Sequence, residues 1–184
     1  MRIIPRISGA ALAVALVLSG CVPKTTPAGP SPQPSTTPVF ANEAEALAAA
    51  TKAYAAYVRV SDEILADGGN NPGRIDEVVT GSQLAADLSG FASAREAGVH
   101  SVGSTTFESV VLQQYNNAHS KNNVVSIYLC ENVSSVDVLN ASGVSIVTAG
   151  RPNRVKYQVT FDRSREPSLD ILVASKSAWG DGKC

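Results

Sequence analysis

Histidine, cysteine, methionine and tryptophan are all scarce in this chain: its 184 residues include two His, three Cys, one Met and one Trp. The two histidines, His100 and His119, have no further ligand at useful spacing, so neither a zinc site nor any other metal is expected. No Gly-x-Ser-x-Gly elbow occurs. Gly98-Val99-His100-Ser101-Val102-Gly103 has the wrong spacing for a dinucleotide loop and leads toward strand-forming residues instead of a helix, and no cofactor is expected. Charged residues make up 17% of the chain and nearly cancel, with a formal net charge of −1, so a nucleic-acid partner has no electrostatic support. The apolar stretch from Ile7 to Leu18 is about 12 residues, short of the roughly 20 a bilayer-spanning helix needs.

That stretch has another use. Arg2 and Arg6 precede it and Leu18-Ser19-Gly20-Cys21 closes it, an arrangement of charged start, short apolar core and small residues that fits an export signal. The segment resembles the lipobox of bacterial lipoproteins, in which a branched aliphatic residue and two small residues precede the cysteine that is lipidated and becomes the new N-terminus. The resemblance implies a diacylglycerol on Cys21 and loss of residues 1–20, which shifts the formal charge to −3. At about 0.8 kcal/mol per buried CH₂, two acyl chains hold the protein at the outer face of a membrane. Residues 21–41 carry six prolines among Thr, Ser, Gly and Gln and read as a tether. At about 3 Å per residue it reaches up to ~60 Å from the bilayer. With Cys21 assigned to lipid, Cys130 and Cys184 remain as an even pair in an oxidising compartment, which points to a structural disulfide.

Residues 42–184 form one domain of ordinary size. Asn42 is placed to cap a helix running to Asp67, with Leu47, Ala50, Thr51, Tyr54, Val58, Ser61 and Leu65 predicted as its buried stripe. Gly68-Gly69-Asn70-Asn71-Pro72-Gly73 ends it. A short helix over Arg74–Val79 follows, then another from Ser82 toward Glu96, with Gly90 a possible interruption and Gly98 a stop. Strands are expected at Thr105–Tyr115, Val124–Cys130, Arg154–Asp162 and Leu169–Trp179, and a short hairpin joins Val136–Leu139 to Val144–Val147. Along Arg154–Asp162, Val155, Tyr157, Val159 and Phe161 alternate with Lys156, Gln158 and Thr160, the mark of a strand with one wet face. Helices first and strands after predict an α+β fold, with a mostly antiparallel sheet packed on the helices.

Several segments in this order carry a second resemblance. They are Ala53-Tyr54-Ala55-Ala56-Tyr57 on the first helix, Val79-Thr80-Gly81, Cys130 at a strand end, the Asn140–Gly143 turn, and Trp179 through Cys184. Together they are similar to the NTF2-like (cystatin-like α+β cone) superfamily, over roughly residues 43–184. The resemblance implies a sheet curled around helices to leave a conical cavity, used by different members for ligands, catalysis or protein contact, and often a dimer through the open side of the sheet. An enzyme of this kind needs a carboxylate or His in the cavity with a Tyr or second acid beside it. Tyr54 and Tyr57, three apart on the helix, either line that cavity or bury their rings with the hydroxyls at its rim. Glu108 and Asp162 are expected to be solvated. Arg151, Arg154, Lys156, Arg163 and Arg165 cluster around one strand as a solvated face or as a binding surface for phosphate-bearing lipid or wall polymer. With no convergent acid–base pair visible, the expectation is a non-catalytic envelope module that meets a protein, a wall component or a small apolar ligand. The alternative is a lipid-anchored isomerase, dehydratase or hydrolase acting in the cone.

Overall fold

The computed structural model describes residues 40–116, 122, 124–164 and 171–184. The signal segment, Cys21, most of the tether, His119 and Arg165 lie outside the described residues. The chain divides into two units, Met1–Ser35 and Thr36–Cys184, and all the structure described belongs to the second.

Helix α1 spans Glu43–Ala66. Asn42 caps it from an extended backbone, its Oδ1 accepting the Glu45 N–H at 3.0 Å, while the Glu45 carboxylate reaches back to the Ala41 N–H. The body begins earlier than residue 42, because the Phe40 side chain is buried in the core. The buried face of α1 is Ala46, Ala50, Tyr54, Tyr57, Val58, Val60 and Ile64. Of the stripe expected from sequence, Ala50, Tyr54 and Val58 are buried, whereas Leu47, Thr51, Ser61 and Leu65 are only half-buried. The buried arc is rotated because α1 packs against the sheet and also against the segment after it, which the periodicity of α1 alone does not register. Gly69, at φ 77°, lets the chain leave α1 close beside the next helix: a Cβ there would collide with the Phe91 carbonyl.

The short helix expected over Arg74–Val79 is a 3₁₀ turn, Pro72–Glu77, with Pro72 pre-set for its first turn. Helix α2 spans Gly81–Ala97 and runs through Gly90 without a break. It ends where Gly98 turns left-handed, at φ 64°. The strands are β1 (His100–Val102), β2 (Thr106–Tyr115), β3 (Val125–Asn132), β4 (Asp137–Leu139), β5 (Arg154–Arg163) and β6 (Ile171–Ala178). The main sheet has the order β2-β3-β5-β6, antiparallel throughout. β4 pairs with β1 in a smaller sheet, and the expected hairpin is reduced to its Asn140 turn and one bridge, Leu139 to Ser145.

Two register shifts in β2, the first at Ser109 with φ 55°, and one opposite Thr160–Phe161 between β5 and β6 bend the sheet around α1. Its inward face presents Val125, Ile127 and Leu129 of β3, Val159 and Phe161 of β5 and Val173 of β6 to the buried side of α1. Each such side chain, fully buried, contributes about 1.5–3 kcal/mol relative to exposure. The result is an α+β domain with helices on a curved antiparallel sheet, consistent with an NTF2-like fold. Among the described residues, no helix is long and apolar enough to cross a membrane.

Candidate functional site

The inward alternation of β3 does not stop with Leu129. Glu131 occupies the next inward position and is buried at 8% exposure. Its Oε2 accepts the Tyr54 hydroxyl of α1 at 2.5 Å, and the Lys176 Nζ of β6 donates to the same oxygen at 2.9 Å and to Oε1 at 3.2 Å. Phe107 of β2 stands edge-on to the Tyr54 ring at 5.0 Å. The Lys176 ammonium also lies over the Tyr157 ring, 4.5 Å from its centre, and 5.6 Å from that of Tyr57. A half-buried ammonium is thus matched to a buried carboxylate, with a phenol completing the carboxylate's hydrogen bonds.

A second group adjoins the first. Gln83 and Asp87, one turn apart on α2, face Tyr57: Gln83 Nε2 donates to Asp87 Oδ1 at 2.8 Å and to the Tyr57 hydroxyl at 3.3 Å, while that hydroxyl donates to Asp87 Oδ1 at 3.4 Å. Asp87 Oδ2 is buried without a hydrogen-bond partner among the described residues. Burial, and then the Glu131 charge, holds the Tyr54 phenol well above its usual range. Burial and the Asp87 carboxylate push Tyr57 up in the same way. Burial likewise raises the Asp87 carboxyl, against the pull of Gln83 and Lys176.

Tyr54 and Tyr57 therefore meet inside the domain, their rings 5.5 Å apart, with the Tyr54 hydroxyl turned onto a carboxylate and not out to a rim. Glu108 faces outward, half-exposed, and pairs with Arg154 across β3. Arg151 serves the backbone: its Nη2 donates to the Val133 and Val136 carbonyls. His100 opens β1 opposite Leu139, beside a groove of about 390 Å³ that Arg95 and Asp67 help to line. A larger groove of about 590 Å³ lies between α1 and residues 103–107, where both Asp62 oxygens are held by Thr105. Among the described residues no group of three or more His, Cys, Asp or Glu is placed to hold a metal.

Cys130 and Cys184 are joined by a disulfide, with 5.8 Å between their Cα atoms. It draws the Trp179–Cys184 turn onto the outward face of the sheet, where the Trp179 N–H donates to the Lys156 carbonyl and the Lys156 N–H to that of Gly182.

Glu131 and Lys176 escaped the reading of sequence for separate reasons. The strand expected over Val124–Cys130 stopped one residue short of Glu131, although Val125, Ile127 and Leu129 already marked its side as inward. In β6, Phe161 pairs with Val173 but Thr160 pairs with Ser175, so Ala174 is an extra residue. That insertion reverses the parity of everything after it and turns Lys176 inward.

No protein-family model matches this chain, and no curated protein matches it in sequence. Solved structures align with it in three dimensions. The intermembrane space region of the chloroplast protein ARC6 superposes with a TM-score of 0.52 at 11% identity, over 72% of this chain and 95% of that one. What the two share is a fold. Aln2 from a Streptomyces species aligns with a TM-score of 0.44 at 19% identity, over 73% of this chain and 89% of its own.

Proposed function

We propose that this chain is an extracytoplasmic lipoprotein whose α+β domain is a non-catalytic binding or accessory module of the cell envelope. The observation that carries the non-catalytic reading is the mutual saturation of Tyr54, Glu131 and Lys176. Tyr54 and Glu131 are the kind of pair a cone enzyme would use, yet they are bonded to each other and to Lys176, and Tyr54 is fully buried. A base already neutralised by an ammonium and a phenol that is already donating have little left to offer a substrate. The anchor is supported by the Leu18-Ser19-Gly20-Cys21 lipobox and the Pro-rich segment after it.

The test has two arms. Cells making the full chain are labelled with radioactive palmitate and fractionated beside a Cys21→Ser variant. Label in the wild type alone, with the variant lost from the membrane fraction, is expected; an unlabelled wild type with residues 1–20 intact overturns the anchor. In the second arm, Glu131→Gln is expected to lower stability without abolishing the cellular role at permissive temperature. A stable Glu131→Gln protein with no cellular role would overturn the non-catalytic reading. One feature favours a second reading, an anchored enzyme acting on a small molecule: Asp87, with its raised carboxyl and unpartnered oxygen, sits beside Tyr57. Loss of function in a stable Asp87→Asn variant would select it.

A further inference from the structure

The outward face of the main sheet carries an aromatic pair among mostly polar, uncharged side chains. Trp179, the chain's single tryptophan, is 43% exposed and lies against Tyr128 with ring centres 4.8 Å apart and planes tilted by 44°. Val111, opposite Tyr128 on β2, is 57% exposed. An indole and a neighbouring valine left so open on a folded domain mark a contact surface, since large rigid aromatics supply most of the binding energy where they occur. Around them the outward positions are mostly amides and hydroxyls, with Lys156, opposite Cys130, as the charged neighbour on the same row of β5. Gln158 takes the register position beyond Tyr128 and donates to Gln113 at 2.6 Å, Ser177 lies next to Gln158, and Thr160 and Ser175 share a hydrogen bond at 2.6 Å. Toward one end, Glu108 and Arg154 cancel each other in an ion pair.

We propose that this face binds a neutral glycan strand of the cell wall. A sugar ring presents an apolar C–H face to an indole and a girdle of hydroxyls to amides and serines, so both halves of the platform are satisfied together. An apolar partner would cover the remaining donors and acceptors of these amides and of Ser177 without meeting them, a costly burial. A polyanion or a phospholipid surface would find Arg154 already paired and little beyond Lys156 to meet several negative charges. The choice of wall polymer as the source rests on the anchored reading, in which residues 21–41 hold the domain up to ~60 Å from the bilayer. Sugar recognition itself does not depend on the anchor.

The single tryptophan makes the test direct. The purified full chain is titrated with a tetramer of N-acetylglucosamine while Trp179 emission is followed, and its retention on purified insoluble wall is compared with that of Trp179→Ala and Val111→Glu. Saturable quenching with a blue shift is expected in the wild type, with retention falling at least about tenfold in both variants. Val111→Glu sits at an exposed position and keeps the reporter, so its circular dichroism and emission separate lost binding from lost folding. Unchanged emission up to about 10 mM sugar, together with equal retention of the folded variants, overturns the proposal. So does light scattering that finds a dimer dispersed by Val111→Glu, which would make a second copy the occupant. Palmitate labelling is scored separately, so a failed anchor and a failed glycan site are told apart.

Discussion

Replacing Lys176 with Met leaves the Glu131 carboxylate inside the domain with only the Tyr54 hydroxyl to hold it. The two side chains are 17% and 10% exposed, so water compensates little. Removing one member of a buried ion pair costs about 3–5 kcal/mol. The residual exposure favours the lower figure, and loss of the ammonium over the Tyr157 ring adds about 0.5–1 kcal/mol. With a urea slope of about 2 kcal/mol/M, a loss of about 3.5–4 kcal/mol moves the midpoint down by about 1.8–2 M. The decisive comparison is the double variant Glu131→Gln/Lys176→Met, in which the substituted amide still accepts the Tyr54 hydroxyl but no charge is buried. It is expected to recover at least half of the loss, so that the mutant cycle shows strong coupling between the two sites. Unfolding is best followed by far-ultraviolet circular dichroism, because Trp179 lies on the other face of the sheet. A single variant that loses less than about 1 kcal/mol, or a double variant equal to the sum of the singles, would refute the account of a desolvated pair.

Three further outcomes follow from the same geometry. Burial holds Tyr54 and Tyr57 un-ionised above their usual value of 10.0, so the folded state keeps two protons that the unfolded chain releases. Stability should therefore be intact below pH 10 and fall above it by up to about 2.7 kcal/mol per pH unit, with Tyr54→Phe halving the slope in alkaline urea titrations. The Asp87 carboxyl is raised from 3.8, so the stability it supplies is present below that value and lost as pH rises through the folded value. Asp87→Asn should then melt higher than wild type at pH 7 and match it near pH 3 in calorimetry. Reducing the Cys130–Cys184 bridge, whose ends are 54 residues apart in sequence, should cost about 4 kcal/mol, read as a lowered urea midpoint with and without reductant.

Elements with strong local signals were legible in the sequence. The Asn42 cap, the Gly98 stop and the alternation of β5 depend on a few neighbouring residues, and they stand where those residues put them. What was hidden depends on distant partners. The rotation of the buried arc of α1 follows from elements packed on more than one side of it, and a helical period carries no record of them. Glu131 was one residue beyond a strand ended too early. Lys176 was unreadable because an alternating pattern assumes an unbroken ladder, and the extra residue at Ala174 shows itself only once β5 is paired with β6. The interior cluster was missed as a unit because Tyr54, Glu131 and Lys176 come from three elements spread over more than a hundred residues, with no common motif to announce them.

The bulge at Ala174 also keeps the two faces of the domain in one frame. Deleting it would only close the ladder, since Val173 and Ser175 already pair with the consecutive residues Phe161 and Thr160, and every later residue would keep its side. A residue added after Ser175 with no second bulge to absorb it would instead throw the lysine into solvent and drive the indole toward the helices. The internal salt link and the aromatic shelf therefore stand or fall together.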